Sequence, residues 1–474
     1  MNFTDNQKYN PAMAKRFAWM FLGRVMPVLV LFIITIIYSR KLSYADYGIF
    51  QSIWMYSNIV SVLICFGLPA VIFSTNLNFL FSFIKAHQNK LRTFYLLLWI
   101  GGLSIFFVFA KNLNDSLKFL LVLFFIIQSI ISIAETLLIK RNGERISFIL
   151  NFIYSILFLG WHLYILYTGY SLYNLIAGIL VLSVIKLIAI ILVPRKNEKY
   201  VERFADKHFR NHWAYLGMND ALGVISRWID KIFLIYLLSA ADFAIFFNGS
   251  IEIPLFGLLI GVTGNFLLIE ISRNRQLTEK IITLFRQSFI RLSTVVFPLF
   301  FFLLFFREEI FSIAFNNKYN ASLPIFMISL FVLPLRINNY TVILQCFAEG
   351  KKIMYGSIMD IVIAALLMYF LYPVSGTTGV MLAIVISTWC QALYYVWHSA
   401  KVLNVSVFHI LPLQKLAIKF LLLLVVYSIL FFLLSGFQLK IKLGIGIIFS
   451  TVIVLAGALP YLKFFSNTTK IQNS

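Results

Sequence analysis

Fourteen apolar segments, each long enough to cross a bilayer, follow one another from residue 17 to residue 462, and no polar stretch between them exceeds about twenty residues. That pattern excludes most folds. Within hydrocarbon the backbone must satisfy its own hydrogen bonds, which leaves helices or closed β-barrels. The segments are uninterrupted apolar runs rich in Phe, of which the chain has 50, and lack the alternation of barrel strands. Helices are therefore expected over 17–38, 47–73, 93–110, 119–139, 147–168, 173–193, 213–239, 243–270, 287–306, 323–345, 354–372, 378–398, 415–435 and 443–462. With 61% hydrophobic and 12% charged residues, the chain is too apolar for a soluble domain.

The lead MNFTDNQKYNPAMAKR is polar and basic and runs into a segment of full spanning length, so the first helix reads as retained rather than cleaved. The three cysteines, Cys65, Cys346 and Cys390, lie in or beside apolar segments with no CxxC or Cys/His spacing, which suits small buried side chains better than disulfides or zinc. A net charge of +22 does not point to nucleic acid, because the basic residues lie in short loops beside spans. With both termini cytoplasmic, about three times as many Lys and Arg fall on that side as on the other, as the positive-inside rule requires. The richest basic stretch, PRKNEKYVERFADKHFRNHW at 194–213, joins the two halves.

A shift of 196 residues lays 15–50 over 211–246 without a gap, with ten of the thirty-six pairs identical. LSYADYGIF (42–50) falls on LSAADFAIF (238–246). This predicts a duplicated six-helix unit. Six spans return the chain to the side it started from, so both copies run the same way. The expected fold is an all-α polytopic membrane protein: two parallel six-helix lobes around a central cavity plus two C-terminal helices. The expected parts are an N-terminal lobe at 1–193, a basic cytoplasmic linker at 194–212, a second lobe at 213–400, and helices 13 and 14 with a cytoplasmic tail at 401–474.

Charged residues within spans are costly unless they face a cavity or a partner. Lys186, Arg291, Lys415, Lys419 and Glu135 lie near predicted cytoplasmic ends, where snorkelling accounts for them. Deeper are Arg24, Asp220, Arg227, Asp230, Lys231, Glu252, Arg336 and Asp360. Asp220, Arg227 and Lys231 share one helical stripe, and Asp230 is within ion-pair reach of Arg227. The repeat sets Arg24 in the first copy where Asp220 stands in the second, either a gate-closing pair or two independent roles. Gln51 and Asn58, Gln128 and Ser132, and Asn338, Asn339 and Gln345 form polar stripes that a wet interior or interhelical hydrogen bonding explains. Pro27, Pro69, Pro254 and Pro334 mark expected breaks, three of them beside a deep charge.

Arg24 before a bend, LSYADYGIF, FGLPAVIF and RWIDKIFLIYLLSAADFAIF together resemble the bacterial polysaccharide flippases (Wzx type) of the multidrug/oligosaccharidyl-lipid/polysaccharide exporter superfamily. The resemblance spans the chain, with one departure at Ala244, where the second copy of the loop motif often has Gly. It implies translocation of an undecaprenyl-diphosphate-linked glycan across the bacterial cytoplasmic membrane by alternating access, for O-antigen, capsule or exopolysaccharide synthesis. It further implies a monomer that meets membrane lipids, polysaccharide polymerase and assembly proteins, with no nucleic acid and no cofactor. A diphosphate calls for Arg or Lys at low dielectric, and Arg24, Arg227, Lys231 and Arg336 are the candidates. Asp220, Asp230, Glu252 and Asp360 are candidates for coupling to Na+ or H+, or for gating. The alternatives are a cation-coupled multidrug exporter of the same superfamily, a membrane glycan polymerase or glycosyltransferase, and a scaffold for glycan-assembly enzymes. The adjacent Glu308 and Glu309 of the longest outer loop argue against the enzyme, since neighbours on a helix splay apart.

Overall fold

The structure, a computed structural model, describes residues 11–471 except 76, 111–112, 195–205, 252, 275 and 348. Most of the basic linker and the candidate Glu252 lie outside the described residues. Two compact units divide the chain between Trp228 and Ile229. Among the described residues there are helices and no strands.

The first unit comprises α1 (Pro11–Lys41), α2 (Tyr44–Cys65), α3 (Leu68–Ser74), α4 (Leu77–Ala86), α5 (Gln88–Phe109), α6 (Asp115–Lys140), α7 (Glu144–Thr168), α8 (Leu172–Ile191) and most of α9 (Asp206–Leu234). Helix α1 packs along α7, α2 against α5 and α6, and α8 against both α6 and α7. The second unit takes the end of α9 and continues through α10 (Ala240–Gly249), α11 (Pro254–Arg273), α12 (Thr278–Phe305), α13 (Arg307–Phe315), α14 (Leu323–Ser329), α15 (Val342–Cys346), α16 (Gly350–Leu403), α17 (Val407–Ile410), α18 (Leu413–Leu433) and α19 (Leu439–Ile471).

The repeated LSxAD motif is a helix start in both places. Ser43, at φ −61° and ψ 161°, accepts from the Asp46 amide at 3.1 Å and donates to its carboxylate at 2.6 Å. Ser239, at φ −64° and ψ 159°, does the same with Asp242 at 3.1 and 2.7 Å. Each cap satisfies an amide that the first helical turn leaves without a partner. Ala244 is buried inside α10, so no turn depends on a glycine there.

FGLP ends α2 for a steric reason. Phe66 and Gly67 both adopt left-handed backbone, with φ of 38° and 72°, and Pro69 then starts α3. A Cβ on Gly67 would stand 2.5 Å from the Gly217 amide nitrogen, so α9 crosses this corner backbone to backbone. Trp213 locks the crossing by donating its indole N–H to the Phe66 carbonyl at 3.1 Å. Phe83, Phe209 and Trp213 fill the space beside it.

Expected spans 11 and 12 form the single 54-residue element α16, interrupted at Gly376 with φ 58° and ψ −138°. Its arms return on each other: the Tyr395 hydroxyl donates to the Ile353 carbonyl at 3.0 Å and Gln391 to that of Gly356 at 3.3 Å. Expected span 323–345 is not one helix. After α14 the chain tightens into a 3-10 segment, Leu330–Ile337, carrying Pro334, and leaves helical geometry at Arg336. Asn338 and Asn339 then cap the broken backbone, with their side-chain oxygens accepting from the Asn339 and Thr341 amides at 2.9 and 3.2 Å.

Among the described residues, eleven helical stretches are long and apolar enough to cross a membrane, where fourteen were expected. The difference has three sources. Helix α9 carries too many charges to qualify, expected span 243–270 is divided into α10, which is too short, and α11, whose described residues form no long enough stretch, and α16 holds two spans in one element. The chain is an all-α, multi-pass membrane protein. Helices α18 and α19 both pack on α12, α18 through Phe420 against Phe297, Phe300 and Phe301, and they pair with each other through Tyr427 and Ser450 at 2.7 Å.

Candidate functional site

The first unit holds a polar cluster among helices α6, α7 and α8 that hydropathy hides. Gln128, Ser132 and Glu135 recur at i, i+4 and i+7 and so share one face of α6. The Glu135 carboxylate accepts from Ser147 at 2.7 Å, from Asn151, and from Lys186 at 3.3 Å. Lys186 also donates to Asn151 Oδ1 at 2.6 Å and stands 5.0 Å from the centre of the Tyr154 ring. One turn along, Ser183 joins Gln128 at 3.0 Å and Tyr154 at 3.2 Å. Snorkelling does not describe Glu135 and Lys186, because their side chains are only 20% and 11% exposed and are engaged with each other. Lone charges near a predicted span end give no signal of this pairing. The Gln128–Ser132 stripe, extended by one member to Glu135, does give one.

Beside this cluster, α1, α2, α6 and α7 line a partly open cavity of about 330 Å³. Pro27 is on its wall, together with Asn58, Gln128 and Ser132 from the predicted polar stripes. Arg24, one turn before Pro27, is exposed, as is Arg227 on α9, while Asp220 is half-buried. Among the described residues no ion pair engages Arg24, Asp220 or Arg227, so Arg24 and Asp220 are not joined in this structure.

In the second unit, Asp230 and Lys231 meet directly at 2.7 Å with side chains 4% and 9% exposed. The Lys231 ammonium also stands 5.8 Å from the Phe246 and Phe247 ring centres. Lys231 therefore meets the Asp230 carboxylate that spacing alone assigned to Arg227. Arg336 is half-buried at the break after Pro334, and Asp360 is buried on the first arm of α16. Glu308 is exposed beside Arg307, while Glu309 is buried against Lys442 at 2.5 Å. The two carboxylates face different surroundings and do not form an acid–base pair. Among the described residues no group of three His, Cys, Asp or Glu is arranged to hold a metal.

The fold has known counterparts. The lipid II flippase MurJ, in an inward closed conformation, superposes with a TM-score of 0.65 at 15% identity, over 95% of this chain and 100% of its own. A multidrug resistance MATE family transporter of the MOP superfamily, facing inward, gives 0.55 at 12% identity, over 81% and 98%. A MOP superfamily transporter from Pyrococcus furiosus, described as having a binding pocket of reverse polarity, gives 0.55 at 14% identity, over 83% and 95%. The chain thus has the fold shared by MOP-superfamily transporters. No family model and no curated protein sequence matches it.

Proposed function

We propose that this protein is a flippase that moves undecaprenyl-diphosphate-linked oligosaccharide repeat units across the cytoplasmic membrane by alternating access, supplying O-antigen, capsule or exopolysaccharide synthesis. The observation that carries this reading is the pair of exposed arginines, Arg24 on the membrane-spanning α1 and Arg227 on α9, neither engaged in an ion pair among the described residues. A cation without a carboxylate partner attracts an anion, and the planar guanidinium suits a diphosphate. Lys231 is a weaker anchor, since Asp230 already meets its charge. Arg336, half-buried at a backbone break, is a separate candidate within the second unit. The likeness to MurJ over nearly the whole chain supports a lipid-linked glycan as cargo.

Asp220, Asp360 and Glu252 are the coupling carboxylates in this reading, with Na+ or H+ as driver, while Asp230 neutralises Lys231. The partners are the glycan lipid, surrounding lipids, and the polymerase and assembly proteins that receive the product; the unit of function is a monomer. Deleting the gene tests the proposal directly: lipid-linked repeat units should accumulate on the cytoplasmic face and surface polysaccharide should fall. Normal surface polysaccharide without accumulation overturns it. The likeness to the MATE family transporter keeps a multidrug exporter as the second reading. That reading predicts drug hypersensitivity in the same deletion strain with glycan export intact.

A further inference from the structure

The cavity in the first unit combines three properties. It is uncharged: none of its lining residues is Asp, Glu, Lys, Arg or His. Of the charges beside it, Lys186, behind the Tyr154 ring, is neutralised by Glu135, while Arg24, one turn before Pro27, is exposed and is not among the lining residues. It also gathers polar groups that the protein leaves without partners. Trp54 Nε1, Ser61 Oγ and Ser155 Oγ all belong to lining residues, are buried, and make no hydrogen bond. Ser155 is 1% exposed.

Buried polar groups of this kind are rare because each loses its hydration without compensation. Three belong to the wall of one cavity, each closed off from its open space in this structure, so a ligand that supplies hydrogen bonds meets them once the lining side chains turn. The two serine hydroxyls turn between staggered positions about a single bond, and an indole N–H can only donate. Gln128 is held by Ser183 through its amide nitrogen, which leaves its carbonyl oxygen as a fixed acceptor on the same wall. Trp54 packs edge-on against Phe124 and Phe158, at 6.1 and 5.7 Å between ring centres, and the three rings form an aromatic wall. A lipid acyl chain satisfies none of these polar groups, and an anion finds no counter-charge among the lining residues.

We infer that this cavity is a subsite for an uncharged sugar ring: its hydroxyls meet Ser61, Ser155, Gln128 and the Trp54 indole, and its apolar face lies on the aromatic wall. The inference rests on the reading of the cargo as a glycan lipid, and it separates recognition of the sugar from recognition of the diphosphate. A volume of about 330 Å³ is at the small end for ligand sites, so the cavity holds one sugar unit and not the whole repeat.

The test uses the full-length chain in vesicles carrying Ser155→Cys, with N-ethylmaleimide labelling followed by peptide mass spectrometry so that Cys65, Cys346 and Cys390 are read separately. N-acetylglucosamine or glucose should slow labelling at position 155 about tenfold at saturation, while glucuronate and inorganic pyrophosphate at equal concentration do not. Trp54→Phe or Gln128→Leu, added to Ser155→Cys, should abolish that protection. If position 155 does not label, equilibrium binding of radiolabelled N-acetylglucosamine to the unmodified chain and to Trp54→Phe gives the same comparison. No sugar binding in either format, or equal protection by glucuronate, overturns the inference. A parallel assay compares translocation of polyprenyl diphosphate with and without an attached sugar. If the chain moves neither lipid yet binds the sugar, the flippase reading fails while the subsite stands. If it moves both, and Trp54→Phe slows neither, the subsite fails while the flippase reading stands.

Discussion

Lys186 and Glu135, carried by helices α8 and α6, meet at 3.3 Å, and Asn151 of α7 hydrogen-bonds to both. Three helices are thus tied by one ion pair and one amide. Removing a single partner leaves the other charge buried without compensation, whereas removing both leaves only neutral groups. Lys186→Met should cost about 3–5 kcal/mol. The double variant Lys186→Met with Glu135→Gln should regain most of that loss, because the two effects are coupled. Thermal unfolding of the purified protein in detergent reads both, and additive losses would show that the pair does not hold the helices.

The corner at Phe66–Gly67 carries a second structural expectation. A side chain on Gly67 must adopt left-handed backbone and also collides with the backbone at Gly217. Gly67→Ala should destabilise the first unit by about 2–3 kcal/mol, more than an ordinary surface substitution. Size-exclusion profiles of solubilised protein should show a smaller monodisperse fraction. Gly101→Ala is the matched control: nothing lies within 4 Å of a Cβ placed there, so the same substitution should not lower that fraction.

Ser43 and Ser239 have the same cap geometry, so Ser43→Ala and Ser239→Ala should each cost about 1 kcal/mol. Matched shifts in melting temperature are the expected result. A loss confined to one of them would mean that the two helix starts bear different loads.

These contrasts show which features are open to a reader of the sequence. Long apolar runs reveal spans because lipid permits few other backbones, and LSxAD reveals a helix start because its Ser and the Asp three residues on can satisfy the first free amides. The breaks are less legible. Pro334 announces one, but only the chain's path shows Asn338 and Asn339 satisfying the backbone that it frees. Charges are the least legible, since sequence spacing ranks partners on one helix and says nothing of those across helices. Spacing therefore points Asp230 toward Arg227 although it meets Lys231, and it presents Glu135 and Lys186, 51 residues apart, as two unrelated span ends.

Arg24 and Arg227 provide the sharpest functional test, because among the described residues neither is committed to an ion pair. Their replacement leaves no buried carboxylate stranded, so stability should change by no more than about 0.5 kcal/mol, as for exposed positions. If they hold a diphosphate, Arg24→Ala and Arg227→Ala should lower glycan export at least about tenfold at unchanged protein level, since a charge-assisted hydrogen bond is worth about 1.5–3 kcal/mol. Arg24→Lys and Arg227→Lys keep the charge but lose the two-pronged geometry, and should fall between alanine and the parent. Surface polysaccharide per cell and membrane protein abundance, measured together, separate this outcome from misfolding. Full export by both alanine variants at parental protein level would remove the arginines from the transport mechanism.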